Sequence, residues 1–176
     1  EESADKFVRM IIKRGHDSVL EHASMTCRIV TDRGISHEIV RHRIGCSYSQ
    51  ESTRYCNYGN GDIVFIEPPG LVDASEPPEA GGFDQGAWRD SCYAAEQAYK
   101  VLLAAGQPPQ IARAVLPNCL KTEIVMTANF RAWRHFLKLR TATGAHPQIR
   151  EVAGMILQWF HMHYPVIVED LMEKVV

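Results

Sequence analysis

The segment 38–58, which reads EIVRHRIGCSYSQESTRYCNY, has an unusual density of guanidinium and hydroxyl side chains. Arg41, His42 and Arg43 are adjacent, and Arg54 follows after a run rich in serine and tyrosine. A planar guanidinium donates two parallel hydrogen bonds to phosphate or carboxylate oxygens. Hydroxyls and unpaired backbone N–H groups of a loop form anion-binding nests. The segment therefore predicts a site for a small anion, against the alternative of a solvated basic turn.

A second group of such side chains lies in NFRAWRHFLKLR, residues 129–140. Asn129 stands at the predicted start of a helix, where backbone N–H groups attract anions. Arg131 and His135 are four positions apart and share a helix face, and Arg140 follows further along. The pattern is typical either of a binding helix or of a solvated surface.

The sequence gives little support for a metal hydrolase, a serine hydrolase or a glycine-rich nucleotide-binding loop. The sequence HEIVRH, from His37 to His42, is close to the metalloprotease motif, but zinc ligation on a helix needs histidines four apart. His161 and His163 would point in opposite directions on a helix. The chain has no G-x-S-x-G elbow and no dinucleotide or Walker glycine loop. We therefore predict no metal ligands, and a metal hydrolase built on HEIVRH is a disfavoured alternative.

The composition bounds the class of protein. With 176 residues and 19.8 kDa, the chain has the size of one domain, and 45% hydrophobic residues indicate a globular protein. A net charge of −2 gives no basic excess for general nucleic-acid binding. No apolar run is long enough for a membrane span. Five cysteines without a C-x-x-C pair, and no signal peptide, predict a reducing cytoplasm.

The elements that must position these side chains can be predicted from periodicity and breakers. A helix capped by Ser3 ends at Gly15, and residues 23–31 alternate as a strand. After a turn at DRG, Ser36 caps a short helix that delivers the arginine cluster. The hydroxyl-rich segment is then expected to be a loop, followed by a strand at 62–67.

The second half of the chain is predicted to contain a long loop, several helices and one strand. The proline- and glycine-rich stretch 68–86 is expected to be a loop, either a functional lid or a variable insertion. The remaining predicted elements are a helix over 87–105, a short helix in PPQIARAVLP, a strand in CLKTEIVMTAN, a helix after Asn129, and helices over 147–162 and 165–175. The fold class is therefore α+β, one domain over 1–176, with a small mixed or antiparallel sheet covered by several helices.

Five ordered sequence blocks resemble the flavin-dependent thymidylate synthases, the ThyX family. The hallmark is RHR, followed after eight further residues by S-x-R-Y, here Arg41 to Tyr55. The other blocks are GHDSVLEH at 15–22, ARAVLP at 112–117, TANFRAWRHFLKLR at 127–140 and IREVA at 149–153. The resemblance covers nearly the whole chain.

The resemblance implies an activity and an assembly. The family transfers a methylene unit from 5,10-methylenetetrahydrofolate to dUMP, and FAD reduced by NADPH supplies the hydride that completes dTMP. It does not require an enzyme cysteine to attack the pyrimidine. The family assembles as a homotetramer whose active sites are shared between subunits.

The resemblance also implies roles for individual residues. Contacts to dUMP are expected from Glu38, Arg41, Gln50, Glu51, Ser52, Thr53, Arg54, Arg113 and Arg140. Contacts to FAD are expected from Ser18, Arg41, His42, Arg43, Gln50, Asn129, Arg131 and His135, and His16 is expected to approach the flavin. Arg140 is the expected catalytic residue, because a fixed positive charge against the uracil favours the N3-ionised ring and makes C5 more nucleophilic.

The sequence departs from the family at three places. Glu38 stands where the family usually has Gln, and AHPQIR replaces the commoner AQ-x-EIR, so His146 and Gln148 receive no role. The family usually begins with a strand and a helix before the GH…EH block, and we expect this segment to be missing here. A non-catalytic nucleotide-binding module that uses the same arginine segment is an alternative from another functional class.

Overall fold

Three strands form the sheet of this protein, whose computed structural model describes residues 2–71 and 84–172. The strands are β1 Ser24–Asp32, β2 Cys46–Gln50 and β3 Lys121–Asn129. They run antiparallel in the order β1-β3-β2, so β3 pairs along both of its edges. The predicted α+β class with a small sheet is confirmed.

Seven α-helices are present in the described part of the chain. They are α1 Glu2–Arg14, α2 Arg33–Ile39, α3 Asp84–Ala104, α4 Pro109–Ala112, α5 Phe130–Arg140, α6 Pro147–His163 and α7 Pro165–Met172. Short 3₁₀ helices cover Asp17–His22 and Arg113–Val115. No helix in residues 2–71 or 84–172 combines the length and apolar character that a membrane span needs.

The described residues fall into two compact units, and the first contains residues 2–29, 38–49 and 125–172. Its core forms where α5 packs against α6. The rings of Trp133 and Phe136 meet edge to face at 5.6 Å, and both residues are fully buried. The indole N–H of Trp133 donates to the carbonyl of Met25 at 3.0 Å, which satisfies its polar group inside the core.

The second unit contains residues 30–37, 50–71 and 84–124. Its core cluster consists of Ile63, Tyr99, Ala112 and Leu120, with Tyr99 contributed by α3 and Ala112 by α4. Burial alternates along β3, as predicted: Thr122 and Ile124 are buried, whereas Lys121 and Glu123 are half-buried.

The start of α2 differs from the prediction. The helix begins at Arg33, and the Asp32 carboxylate accepts a hydrogen bond from the backbone N–H of Ile35 at 2.7 Å. Ser36 lies inside the helix, where its hydroxyl donates to the Arg33 carbonyl at 2.9 Å. The predicted Ser36 cap and the predicted DRG turn are therefore wrong, because Asp32 is placed to serve as the cap.

Two further element predictions are wrong in part, and the start of one predicted helix is displaced. The hydroxyl-rich segment contains strand β2, so it is not a loop throughout. The strand predicted at 62–67 reduces to a single antiparallel bridge between Phe65 and Leu120. Helix α3 begins at Asp84, before the predicted start at 87. Residues 72–83 of the predicted loop 68–86, and 173–175 of the predicted last helix, lie outside the described residues.

Candidate functional site

Arg140, the last residue of α5, is held at all three guanidinium nitrogens. Its Nε donates to Nε2 of His42 at 3.0 Å, Nη1 donates to the Glu38 carboxylate at 2.7 Å, and Nη2 donates to the Glu38 carbonyl at 3.0 Å. That carbonyl belongs to the last turn of α2, where a cation is favoured by the helix dipole. The structure thus joins Arg140 to the residues beside RHR, about one hundred positions away in sequence.

His42 is half-buried between α5 and the end of α2. Its ring lies 5.0 Å from the ring of Phe136 and 5.9 Å from that of His135. Burial, reinforced by the charges of Arg140 and His135, lowers the pKa of His42 to about 4. His42 is therefore neutral at pH 7, and because its Nε2 accepts from Arg140, the ring proton sits on Nδ1.

Tyr48 on β2 holds the backbone that carries the arginine cluster. Its hydroxyl contacts the carbonyl oxygens of Ile39 at 3.1 Å and of His42 at 2.5 Å. Burial raises the pKa of Tyr48, so the phenol keeps the proton that it donates. The Ile39 carbonyl also accepts from the backbone N–H of His42 at 3.1 Å, so Tyr48 adds a side-chain contact to a turn that the backbone already closes. Sequence reasoning gave this residue no role.

Arg41 and Arg43 are exposed beside this turn. Within residues 2–71 and 84–172, neither guanidinium has a hydrogen-bond or ion-pair partner. Two arginines that are not engaged by carboxylates leave their donors available to an anionic ligand. The structure therefore leaves the expected ligand-binding groups accessible.

The turn after RHR packs closely against the start of α5. Gly45 has a φ of +72°, and a Cβ built there would stand 2.8 Å from Nδ2 of Asn129. The Gly45 carbonyl accepts from the backbone N–H of Asn129 at 3.2 Å. The Asn129 side chain accepts from the N–H of Ala132 at 2.9 Å, which confirms the predicted helix cap. Only glycine fits position 45 without displacing Asn129.

Other predicted FAD contacts lie on the exposed face of α5 and on the neighbouring 3₁₀ helix. His135 and Ser18 are exposed, and the 3₁₀ helix that carries Ser18 packs against α5. Arg131 pairs with Glu21 at 2.5 Å, and this hydrogen bond raises the pKa of Arg131. A ligand that uses Arg131 must therefore compete with the Glu21 carboxylate.

The remaining predicted contacts belong to the second unit. Nη1 of Arg113 donates to the hydroxyl of Thr53 at 3.0 Å, and Thr53 is buried. The amide nitrogen of Gln50 donates to the hydroxyls of Ser36 at 2.8 Å and Thr122 at 3.2 Å. Gln50 therefore has both N–H groups engaged and keeps its carbonyl oxygen for a ligand.

Glu51 is tied to Tyr58, a residue that the sequence did not single out. The Tyr58 hydroxyl donates to Oε1 of Glu51 at 2.8 Å, and burial together with this bond raises the pKa of Tyr58. Oε2 of Glu51 is buried without a hydrogen-bond partner in the described part of the chain. An orphaned buried carboxylate oxygen is costly, so it is a natural acceptor for a ligand hydroxyl or N–H.

Ser52 begins a tight turn that presents Arg54. The Ser52 carbonyl accepts from the backbone N–H groups of Tyr55 at 3.1 Å and Cys56 at 2.9 Å. Arg54 is exposed, and its guanidinium lies 5.5 Å from the centre of the Tyr55 ring. This placement leaves the Arg54 donors open to solvent or to an anion.

The predicted site residues thus form two sets, each within one unit. The first set is Ser18, Glu38, Arg41, His42, Arg43, Asn129, Arg131, His135 and Arg140. The second set is Gln50, Glu51, Ser52, Thr53, Arg54 and Arg113. Their individual ligand roles stay predictions.

Comparisons with known proteins agree with the sequence blocks. A family model described as thymidylate synthase complementing protein matches residues 1–166. A protein named flavin-dependent thymidylate synthase from Mycolicibacterium vanbaalenii is 40% identical over 163 residues, which cover 84% of this chain and 61% of the relative.

Relatives of the same name extend the match. The one from Mycobacterium marinum is 37% identical over 173 residues, covering 93% of this chain and 68% of the relative. The one from Mycobacterium tuberculosis is 36% identical over the same number of residues, 173, with the same coverage. The chain spans about three fifths of the length of the Mycolicibacterium vanbaalenii relative, where the covered share is 61%.

Proposed function

Because the chain belongs to the thymidylate synthase complementing protein family, we propose that it acts as a flavin-dependent thymidylate synthase. The proposed reaction is the reductive methylation of dUMP to dTMP. The carbon donor is 5,10-methylenetetrahydrofolate, and the hydride comes from FAD that NADPH has reduced.

The observation that carries the proposal is the junction of Arg140 with His42 and Glu38. These contacts bring the RHR segment and α5, the two predicted ligand-binding groups, to one place in the first unit. The guanidinium has five N–H groups, of which three are used here. Two remain to donate to a uracil ring.

Arg140 is proposed to activate the uracil through its charge. Neutral His42 accepts the Nε–H and so orients the guanidinium without adding a competing positive charge. A guanidinium fixed in this way is preorganised for negative charge that develops at uracil N3 or its neighbouring oxygen. The N3-ionised ring is more electron-rich at C5, the carbon that receives the methylene unit.

The residues present also fit FAD. Its pyrophosphate is anionic, and Arg41 and Arg43 are exposed guanidinium groups without a partner in the described part of the chain. His42, Asn129, Arg131, His135 and Ser18 of the first unit are proposed to complete the binding groups there, and Gln50 stays a predicted FAD contact of the second unit. When bound and reduced by NADPH, the flavin supplies the hydride. The chain's own residues bind and orient it.

The state of the cysteines supports chemistry without a thiol nucleophile. Burial raises the pKa of Cys27 and of Cys46. Burial and the neighbouring thiol of Cys119 raise the pKa of Cys92 to about 12. A thiolate is the reactive form of cysteine, so these three thiols are poorly suited to attack a pyrimidine at neutral pH.

A homotetramer with active sites shared between subunits is part of the proposal. Helix α6 supports self-association, because Met155, Trp159 and Met162 are exposed at positions that share one helix face. Exposed apolar side chains in one stripe are typical of surfaces that bind another protein. In a shared site, Arg41 and Arg43 can serve ligands that are bound mainly by different chains.

An absorbance spectrum of the purified protein tests cofactor and substrate class together. We expect a flavin band after addition of FAD, and a change of that band when dUMP is added. Protein that takes up no FAD would contradict the proposal. Protein that binds dUMP but forms no dTMP with all substrates present would instead support a non-catalytic nucleotide-binding module.

A further inference from the structure

A cleft of about 460 Å³ lies within the second unit. Its volume falls in the range of small-molecule sites. Arg113 and the buried Thr53, both expected to contact the nucleotide, line it. Arg33, the first residue of α2, lines it as well, although neither the sequence motif nor the resemblance gave Arg33 a role.

Arg33 is half-buried, and one nitrogen of its guanidinium is enclosed without a partner among the described residues. Nη1 of Arg33 is buried and has no hydrogen-bond partner among the described residues. Burying a charged N–H donor without a partner is costly, so such a group is expected to meet an acceptor when a ligand is present.

The backbone fixes Arg33 at this position. Its N–H donates to the Leu120 carbonyl at 3.1 Å, and its carbonyl accepts from the Ser36 hydroxyl at 2.9 Å. Both contacts use the main chain of Arg33, so they hold the residue without occupying its guanidinium. The main chain of Arg33 is therefore fixed, and these contacts leave its guanidinium available for binding.

The polar groups of the cleft favour an anion. The described lining residues include two arginines and no carboxylate, in a chain whose net charge is −2. The Thr53 hydroxyl accepts from Arg113 at 3.0 Å and keeps its own proton to donate. Two guanidinium groups and a buried hydroxyl donor are the groups that bind a phosphate dianion.

We propose that Arg33 is a phosphate-binding residue, and that the cleft holds the phosphate monoester of a nucleotide between the guanidinium groups of Arg33 and Arg113. This inference rests on the proposed function, because dUMP is then the ligand. It adds a recognition residue that selects the nucleotide over its nucleoside. Arg33 acts on binding, and no step of the chemistry is assigned to it.

The test compares dUMP with 2′-deoxyuridine, which lacks the phosphate, by isothermal titration calorimetry on the full chain. For Arg33→Gln we expect dUMP to bind about 10- to 100-fold more weakly, because a charge-assisted hydrogen bond is lost. Binding of 2′-deoxyuridine should not change. Arg33→Lys keeps the positive charge but cannot donate two parallel hydrogen bonds to the phosphate. It should therefore give an intermediate loss of dUMP affinity.

The matched control is Arg89→Gln, which removes an exposed arginine from α3 and leaves the cleft intact. Its dUMP affinity should equal that of the original protein. If Arg33→Gln does not fold, as judged by circular dichroism, Arg33→Lys decides the question. Unchanged dUMP affinity in a folded Arg33 variant overturns the inference and leaves the proposed function standing.

Inorganic phosphate separates failure of the inference from failure of the proposed function. If the original protein does not bind dUMP but binds phosphate, and Arg33→Gln loses that binding, the anion site stands and the proposed substrate is wrong. If the original protein binds neither dUMP nor phosphate, the inference is overturned. Equal loss of dUMP and 2′-deoxyuridine affinity in Arg33→Gln also overturns it, because the effect is then not directed at the phosphate.

Discussion

Replacing Glu38 by Gln tests whether Arg140 acts through its charge. The Glu38 carboxylate lies 2.7 Å from Nη1 of Arg140, so it offsets the positive charge that is proposed to favour the ionised uracil. A Gln side chain can still accept the Nη1 hydrogen bond through its carbonyl oxygen. The substitution therefore removes a negative charge and keeps a partner that orients Arg140.

The size of the effect follows from Coulomb's law. At an assumed separation on the order of 6 Å between the Glu38 carboxylate and a ring that accepts from Arg140, two unit charges interact by about 3 kcal/mol at an effective dielectric constant of about 20. The side chains of Arg140 and Glu38 are 19% and 31% exposed, so solvent screens part of this interaction. About 1.4 kcal/mol remains, equivalent to a decrease of about one unit in the N3 pKa of bound dUMP.

The assay is a pH titration of the ultraviolet difference spectrum of bound dUMP, together with the pH dependence of dTMP formation. In Glu38→Gln both midpoints should move to lower pH by about one unit. Glu38→Ala, which also removes the hydrogen-bond acceptor, should lose activity. Glu151→Gln removes an exposed carboxylate of α6 and should leave both midpoints unchanged. Unmoved midpoints in an active Glu38→Gln variant would refute the electrostatic role of Arg140.

Two further predictions concern the turn that carries RHR. The pKa of His42 is about 4 in the folded protein and about 6.5 when unfolded, so the unfolded state binds more protons between these values and stability falls as pH drops through them. His42→Asn should weaken that pH dependence in urea unfolding at several pH values, whereas the exposed His161→Asn should not; equal slopes in the two variants would contradict the assignment. Gly45→Ala should cost about 1–3 kcal/mol in urea unfolding, because position 45 has a positive φ and a Cβ would meet Asn129, whereas Gly61→Ala, in open space, should cost much less. An equal loss of unfolding free energy in the two variants would show that neither the positive φ nor the contact with Asn129 restricts position 45 to glycine.

Sequence periodicity predicts the elements whose burial alternates strongly. Strand β3 places Ile124 and Met126 in the core and half-buried residues between them, so its pattern of period two is visible in the sequence. Strand β2 is half-buried at Cys46 and Tyr48 and exposed at Ser47. Its sequence, rich in serine and tyrosine, does not alternate clearly between polar and apolar residues. From the sequence alone it therefore resembles a loop, and only the pairing with β3 identifies it as a strand.

The composition of 62–67 is typical of a strand, but pairing needs a neighbour as well as propensity. Only Phe65 forms a bridge in this described segment, so tertiary context overrides the local preference. At α2, the Asp32 cap was obscured because the DRG sequence also fits a turn. A short polar residue before a helix and one within a turn look alike without the contact from Ile35.

In the candidate site, features defined by neighbouring residues could be predicted from the sequence, and contacts between distant residues could not. The RHR segment and the Asn129 cap can be read from the chain, because each is defined by neighbouring residues. The Arg140–Glu38 pair joins positions 102 apart, and Arg33 becomes notable only because it lines a cleft and its Nη1 is enclosed without a partner among the described residues. Such contacts depend on the packed structure, and no spacing rule predicts them.

The most direct test of the central claim measures dTMP formed from dUMP in the presence of FAD, NADPH and 5,10-methylenetetrahydrofolate. We predict that dTMP forms only when all of these are present. Arg140→Ala should reduce its rate by about 100- to 1000-fold and keep the flavin spectrum, while exposed Lys138→Ala should match the original protein. Absence of dTMP from a flavin-loaded protein, or an undiminished rate in Arg140→Ala, would contradict the account.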